Sequence, residues 1–133
     1  MEENIINIIK KYIDVELIYL FGSVITNRFN GESDIDIAIW SKEDILPKKF
    51  MELKFELIKK MGREIDLINL KNTSLILTKE VIFKGRLIFK KDEKIKNEFE
   101  YRKIALYGQF IDDIKVVKDK IKERGYVKKI DNE

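Results

Sequence analysis

Residues 34–40 read Asp-Ile-Asp-Ile-Ala-Ile-Trp, and this strict alternation constrains the fold more than any other stretch of the chain. Successive side chains on a strand point to opposite faces. Ile35, Ile37 and Ile39 therefore share one face, while Asp34, Asp36 and Ala38 share the other. The segment reads as a strand with one face in a core. Two aspartates at i and i+2 then stand on the same side, roughly 7 Å apart along the backbone.

The rest of the chain supplies partners for such a strand. Ile5, Ile6, Ile8, Ile9, Tyr12 and Ile13 recur at helical spacing, so 2–13 is read as an amphipathic helix. An apolar, β-rich run over 16–21 ends at Gly22, one or two helical turns are expected over 23–29, and Asn30-Gly31 marks a turn. Pro47 opens a helix that Gly62 stops. Residues 64–70 form a third strand, with Ile65 and Leu67 alternating against Asp66 and Ile68. A helix follows over 74–84, closed by Gly85, and then a short strand over 86–90. From Asp92, as N-cap, a long helix runs to about residue 124, with Gly108 as a candidate bend and Gly125 as its stop. The order α-β-α-β-α-β-α-β-α gives an α/β (α+β) fold class, a small mixed sheet with flanking helices. Residues 1–90 are read as the core, 91–125 as a C-terminal helix packing on the core or on a partner, and 126–133 as a tail, within one domain.

Composition narrows the chemistry. The 133 residues contain no cysteine and no histidine, so disulfides, thiolate zinc sites, cysteine nucleophiles and histidine general bases are excluded. Catalysis must run on carboxylates, hydroxyls, amines or guanidinium groups, and any metal must be a hard ion held by oxygen, magnesium or manganese. Basic residues (27) and acidic residues (24) are interspersed, so no polybasic arm marks a nucleic-acid or membrane surface, and no direct nucleic-acid binding is expected. The N-terminal stretch lacks a signal-peptide pattern and no run is long enough to span a bilayer, so the expected location is the cytoplasm.

Asp66, on a strand beside that of Asp34 and Asp36, would lie roughly 5 Å across the sheet and complete an anionic pocket. Three clustered carboxylates repel one another until a divalent cation neutralises them. Gly22-Ser23 supplies the other half. A glycine ending a strand admits a phosphate oxygen close to the backbone, and the following N–H groups with the Ser23 hydroxyl make a phosphate site. Ser33 adds a second hydroxyl just before Asp34. The competing reading makes Asp34 a strand-start residue and Asp36 and Asp66 solvated charges. No Walker A or G-x-G-x-x-G motif is present.

These residues, Gly22-Ser23, ten residues, then Asp34-x-Asp36, with Asp66 on a later strand, resemble the DNA polymerase β-type nucleotidyltransferase superfamily. The short length and the flanking sequence are similar to its minimal nucleotidyltransferase (MNT) branch, the antitoxins encoded beside HEPN-domain toxins. The resemblance covers residues 5–125. It implies a palm-like nucleotidyltransferase fold plus a long C-terminal helix. It further implies two magnesium ions (or manganese) held by Asp34, Asp36 and Asp66, with Asp66 helping to deprotonate the attacking hydroxyl, and ATP held by Gly22 and Ser23. The activity implied is AMP transfer to a tyrosine of a cognate HEPN RNase toxin, which silences it. Arg28 stands where relatives carry a basic residue near the phosphates, although a solvated loop arginine is an equal reading.

Two other functions stay open on the sequence: a module that neutralises a toxin by contact alone, and a small-molecule nucleotidyltransferase of the aminoglycoside-modifying type. The stripe Ile95, Phe99, Leu106, Phe110, Ile114, Val117 and Ile121 is expected to pack on the chain's own sheet, with its distal half as the alternative partner surface. Tyr101, Tyr107 and Phe110 are read as core or interface residues before adenine-stacking ones, and Trp40 as a core or edge residue.

Overall fold

The computed structural model describes residues 1–26 and 33–123. Its elements follow the sequence closely: α1 Glu2–Tyr12, β1 Leu17–Phe21, a short 3₁₀ turn Gly22–Ile25, β2 Ile35–Trp40, α2 Pro47–Met61, β3 Ile65–Asn69, α3 Leu75–Lys84, β4 Arg86–Lys90 and α4 Glu93–Glu123. The sheet order is β3-β2-β1-β4, with β2 parallel to β3 and the other pairings antiparallel.

The boundaries have local causes. Pro47 sits in the first turn of α2, where a missing N–H costs nothing, and Gly62 ends that helix in the left-handed region at φ 65°. The Ser74 hydroxyl accepts the Leu77 N–H at 3.2 Å to open α3. The Asp92 carboxylate accepts the Ile95 N–H at 2.7 Å to open α4, as its sequence position predicts. Gly85 closes α3 with ordinary φ, but a Cβ there would stand 2.4 Å from the Val81 carbonyl oxygen, so glycine is needed for close backbone packing. The helix does not break at Gly108: α4 runs through it without interruption. A glycine inside a helix costs only about 1 kcal/mol.

The sheet is covered on both sides, and this corrects the reading of β2 as a strand with one buried face. Ile35, Ile37 and Ile39 join Ile18, Leu20, Ile65 and Leu67 beneath α1 and α2, through Ile5, Ile9, Leu53 and Leu57. On the other face Ala38 joins Leu17, Tyr19, Leu70, Val81 and Phe99 beneath α3 and α4. Each leucine, isoleucine, valine or phenylalanine side chain taken fully out of water contributes about 1.5–3 kcal/mol. The Asp face of β2 is thus apolar at its far end and acidic only where the strand begins.

α4 covers the sheet for part of its length. Phe99 is its buried residue and packs against Trp40 with ring centroids 4.8 Å apart. Lys79 of α3 lies 5.3 Å from the Tyr107 ring centroid. Beyond that, Ile114 and Val117 remain 40% and 55% exposed, while Phe110 and Ile121 are partly buried, so the stripe's packing on the chain's own sheet does not extend to Ile114 and Val117.

One polar contact fixes α4 over the sheet. The fully buried Tyr19 donates its hydroxyl to Glu100 Oε2 at 2.8 Å. Burial first, then the Glu100 hydrogen bond and charge, push the phenol's proton affinity up. Tyr19→Phe keeps the ring and removes the bond. It should lower stability by about 1–2 kcal/mol, read as a lower urea midpoint with unchanged slope. An unchanged midpoint would show that Glu100 does not anchor α4.

Candidate active site

The start of β2 is where chain direction and charge converge. β1 pairs with β2 so that Phe21 stands opposite Asp36, which brings Gly22 beside that aspartate. Gly22 has φ +73°, a conformation L side chains rarely adopt. A Cβ on Gly22 would lie 2.0 Å from Asp36 Oδ2. The glycine is therefore required twice, by its backbone angle and by the carboxylate that fills the space of its missing side chain. The sequence suggested a glycine for phosphate approach; the structure adds Asp36 as the group already pressed against it.

Of the one or two turns expected over 23–29, one 3₁₀ turn is seen, and residues 27–29 lie outside the described residues. The turn spans Gly22–Ile25 and is closed at Thr26, whose N–H and hydroxyl both donate to the Ser23 carbonyl at 3.0 Å. The opening N–H groups of such a turn have no partner inside it. Ser33, partly exposed, precedes Asp34. Arg28 and the Asn30-Gly31 turn lie outside the described residues, as do Gly125 and the tail.

The parallel pairing of β2 with β3 sets Asp36 directly beside Asp66. Both stand on the face that carries Ala38 and Ile68, the side of α3 and α4. Asp34 and Asp66 are exposed and Asp36 is half-buried. Asp36 holds its proton more tightly than an ordinary aspartate. Burial is the main cause, followed by repulsion from Asp66 and then from Asp34. Asp36 thus meets the charge of both other candidate carboxylates. The three do not close into a cage: among the described residues no three acidic side chains are grouped tightly enough to hold an ion alone. Magnesium is commonly held by one or two carboxylates with substrate phosphates supplying the rest, and an open acidic rim beside a phosphate-type turn suits that mode.

Burial of Asp36, with the repulsion it meets, has a measurable consequence. The folded-state pKa of Asp36 lies above its unfolded value. Between those two values the folded state binds the extra proton, so stability falls as pH rises through that window and stays lower above it. Asp36→Asn, without divalent cations, should raise Tm at neutral pH by about 2–5 °C, and the gain should shrink as pH falls through the window. A gain that does not vary with pH would rule out charge as its cause.

Residues 3–94 match the polymerase beta nucleotidyltransferase family. The protein adenylyltransferase MntA of Shewanella oneidensis is 28% identical over 109 residues, spanning 80% of this chain and 76% of MntA. A toxin–antitoxin structure with AMP-PNP superposes with a TM-score of 0.79 at 26% identity, covering 90% of this chain and 97% of the matched one. The MNT antitoxin in complex with tri-AMPylated Shewanella oneidensis HEPN toxin gives 0.75 at 26%, covering 90% and 94%. The glycine turn and paired strand aspartates found here thus sit within the matched region, and the chain belongs to the polymerase β nucleotidyltransferase family.

Proposed function

We propose that this chain transfers AMP from ATP to a tyrosine of a cognate HEPN-domain toxin and so neutralises it in the cytoplasm. The observation that carries the reading is the packing of Gly22 against Asp36, with Asp66 beside it on the neighbouring strand. The identity to a protein adenylyltransferase and the likeness to an antitoxin bound to an AMPylated toxin support the acceptor. The match to a complex with AMP-PNP supports ATP as donor. Residues 1–90 carry the chemistry in this reading and 91–125 the contact with the partner. Among the described residues no helix is long and apolar enough to cross a membrane.

Asp34, Asp36 and Asp66 would hold magnesium, because a cation relieves the repulsion that Asp36 meets from the other two. When bound, two such ions supply positive charge to the triphosphate and lower the pKa of the incoming hydroxyl. The N–H groups opening at Gly22 and Ser23, with the Ser23 and Ser33 hydroxyls, orient the phosphates. The acceptor oxygen attacks the α-phosphorus in line, the bond to the β-phosphate bridging oxygen breaks, and pyrophosphate leaves. Asp66, the exposed carboxylate of the pair, receives the hydroxyl proton. Positioning and charge neutralisation account for the rate, with no covalent enzyme intermediate.

A second reading, neutralisation by contact alone, draws on the exposed apolar residues of distal α4. One experiment separates the two. The HEPN partner is incubated with α-labelled ATP and magnesium, and its RNase activity is followed alongside label transfer. Asp36→Asn and Asp66→Asn should cut transfer by about 100-fold or more while leaving the complex intact, and the toxin should stay active. Full neutralisation by Asp36→Asn would favour the contact reading, and an unlabelled partner with wild-type protein would reject transfer.

Gly22→Ala should be as damaging as loss of an aspartate. Its methyl group must displace the Asp36 carboxylate and its backbone must hold a left-handed angle costing about 1–2 kcal/mol. Transfer should fall to the level of Asp36→Asn, with a lower urea midpoint. Near-wild-type transfer by Gly22→Ala would show that the Asp36 position is not needed.

A further inference from the structure

A cavity of about 460 Å³ opens at the opposite end of β2 from the aspartates, between Trp40 and the first turns of α4. Asp36 and Trp40 are four residues apart on the strand, roughly 13 Å. Between them on that face Ala38 is fully buried, as is the neighbouring Leu70, so the cavity and the carboxylate rim are separated by packed core.

The lining has three chemical parts. Its apolar floor is Trp40, partly exposed, braced by the buried Phe99. Its cations are Lys42, Arg102 and Lys103, with Lys71 as a fourth. Lys71 is already engaged, donating to the Lys42 carbonyl and paired with Asp44 at 3.1 Å. The Lys103 ammonium lies 5.8 Å from the Phe99 ring centroid. Among the described residues neither the Lys42 ammonium nor the Arg102 guanidinium makes a hydrogen bond or ion pair. The third part is one carboxylate, Glu98.

An aromatic plane, two unengaged cations and one acceptor-only carboxylate are complementary to a small set of ligands. Aromatic side chains stack nucleobases, and Arg and Lys recognise phosphate. A carboxylate accepts hydrogen bonds from the exocyclic amino group of a base. An acidic peptide would meet the cations equally well but would be repelled by Glu98. The cavity lies within the size range of small-molecule sites. We propose that this cavity binds a nucleoside monophosphate with an amino-bearing base. The base lies against Trp40, its amino group donates to Glu98, and its phosphate is held by Arg102 and Lys42. The site is separate from the one that would hold ATP for transfer and does not depend on that reaction.

The chain's single tryptophan is the floor of this cavity, so its fluorescence reads the site directly. The full-length protein is titrated with AMP, CMP, UMP and inorganic phosphate without divalent cations. Excitation is set where nucleotides do not absorb. AMP and CMP should quench Trp40 saturably, and UMP, which lacks the amino group, should bind more weakly. The double variant Lys42→Ala, Arg102→Ala should weaken AMP binding about 10-fold or more, Glu98→Ala should close the gap between CMP and UMP, and Asp36→Asn should leave the titration unchanged. Circular dichroism checks that these exposed substitutions leave the fold intact. The proposal is overturned if AMP gives no saturable quenching, or if inorganic phosphate or a polyglutamate peptide binds as tightly as AMP. It is also overturned if Asp36→Asn abolishes quenching while the double variant spares it.

Discussion

Gly22 and Asp36 occupy what would otherwise be one volume, and the arrangement of the site depends on that. With a Cβ at Gly22 only 2.0 Å from the Asp36 carboxylate oxygen, the carboxylate can rest against the turn only because the turn has no side chain there. The same residue turns the backbone out of β1 at a left-handed angle, so one glycine serves the turn and the aspartate together. Both demands assume the β1–β2 register that sets Phe21 opposite Asp36. A slip of one residue would move Asp36 to the face of Ile35, Ile37 and Ile39, inside an apolar cluster. The isoleucine face is therefore more than a core: it is what holds the aspartates in place.

The aspartates in turn work against folding. Asp36 is half-buried beside two other carboxylates, and the strain is visible in its raised proton affinity. The chain tolerates this because the strained group lies at the rim. Two residues further along the same face Ala38 is fully buried, and the opposite face of β2 is isoleucine throughout. Functional sites are where a sequence breaks its own packing rules, with the offset supplied by ordinary burial elsewhere.

Much of this was legible in the sequence, and the parts that were not share a cause. Alternation assigned β2 and its isoleucine face, and Pro47, Gly62, Gly85 and Asp92 marked helix ends, because those signals are local. The second apolar layer is not legible in β2 itself, whose other face opens with two aspartates, although Trp40 reads as a core or edge residue and the start of the α4 stripe as packing on the sheet. What buries that face is Phe99 and the Tyr19–Glu100 bond, which joins residues 81 apart. The Gly22–Asp36 contact was hidden for the same reason: the residues are neighbours only once β1 and β2 pair. Gly108 reads as a bend or as a tolerated helix glycine, and α4 stays helical through it, because a local propensity penalty is small against a helix of 31 residues.

The length of α4 has a consequence that follows from geometry alone. At 1.5 Å per residue a 31-residue helix spans about 46 Å, while a sheet of five- and six-residue strands is roughly 17–20 Å along its strands. The helix must therefore outrun the core that Phe99 and Glu100 fix it to. Its distal residues keep the apolar spacing of its start, and Ile114 and Val117 remain exposed where Phe99 is buried. Such a stripe stabilises nothing within this chain and costs solubility, so any gain from it must come from burial against another surface. The proposed division of labour follows from the same geometry, since transfer chemistry needs the rigid sheet and recognition of a macromolecular acceptor needs area the sheet cannot supply. At the other end of the sheet, the same helix roofs the cavity at Trp40. One element thereby borders a core, a pocket and an uncovered apolar face, and a displacement of α4 on partner contact would reach Trp40 directly through Phe99.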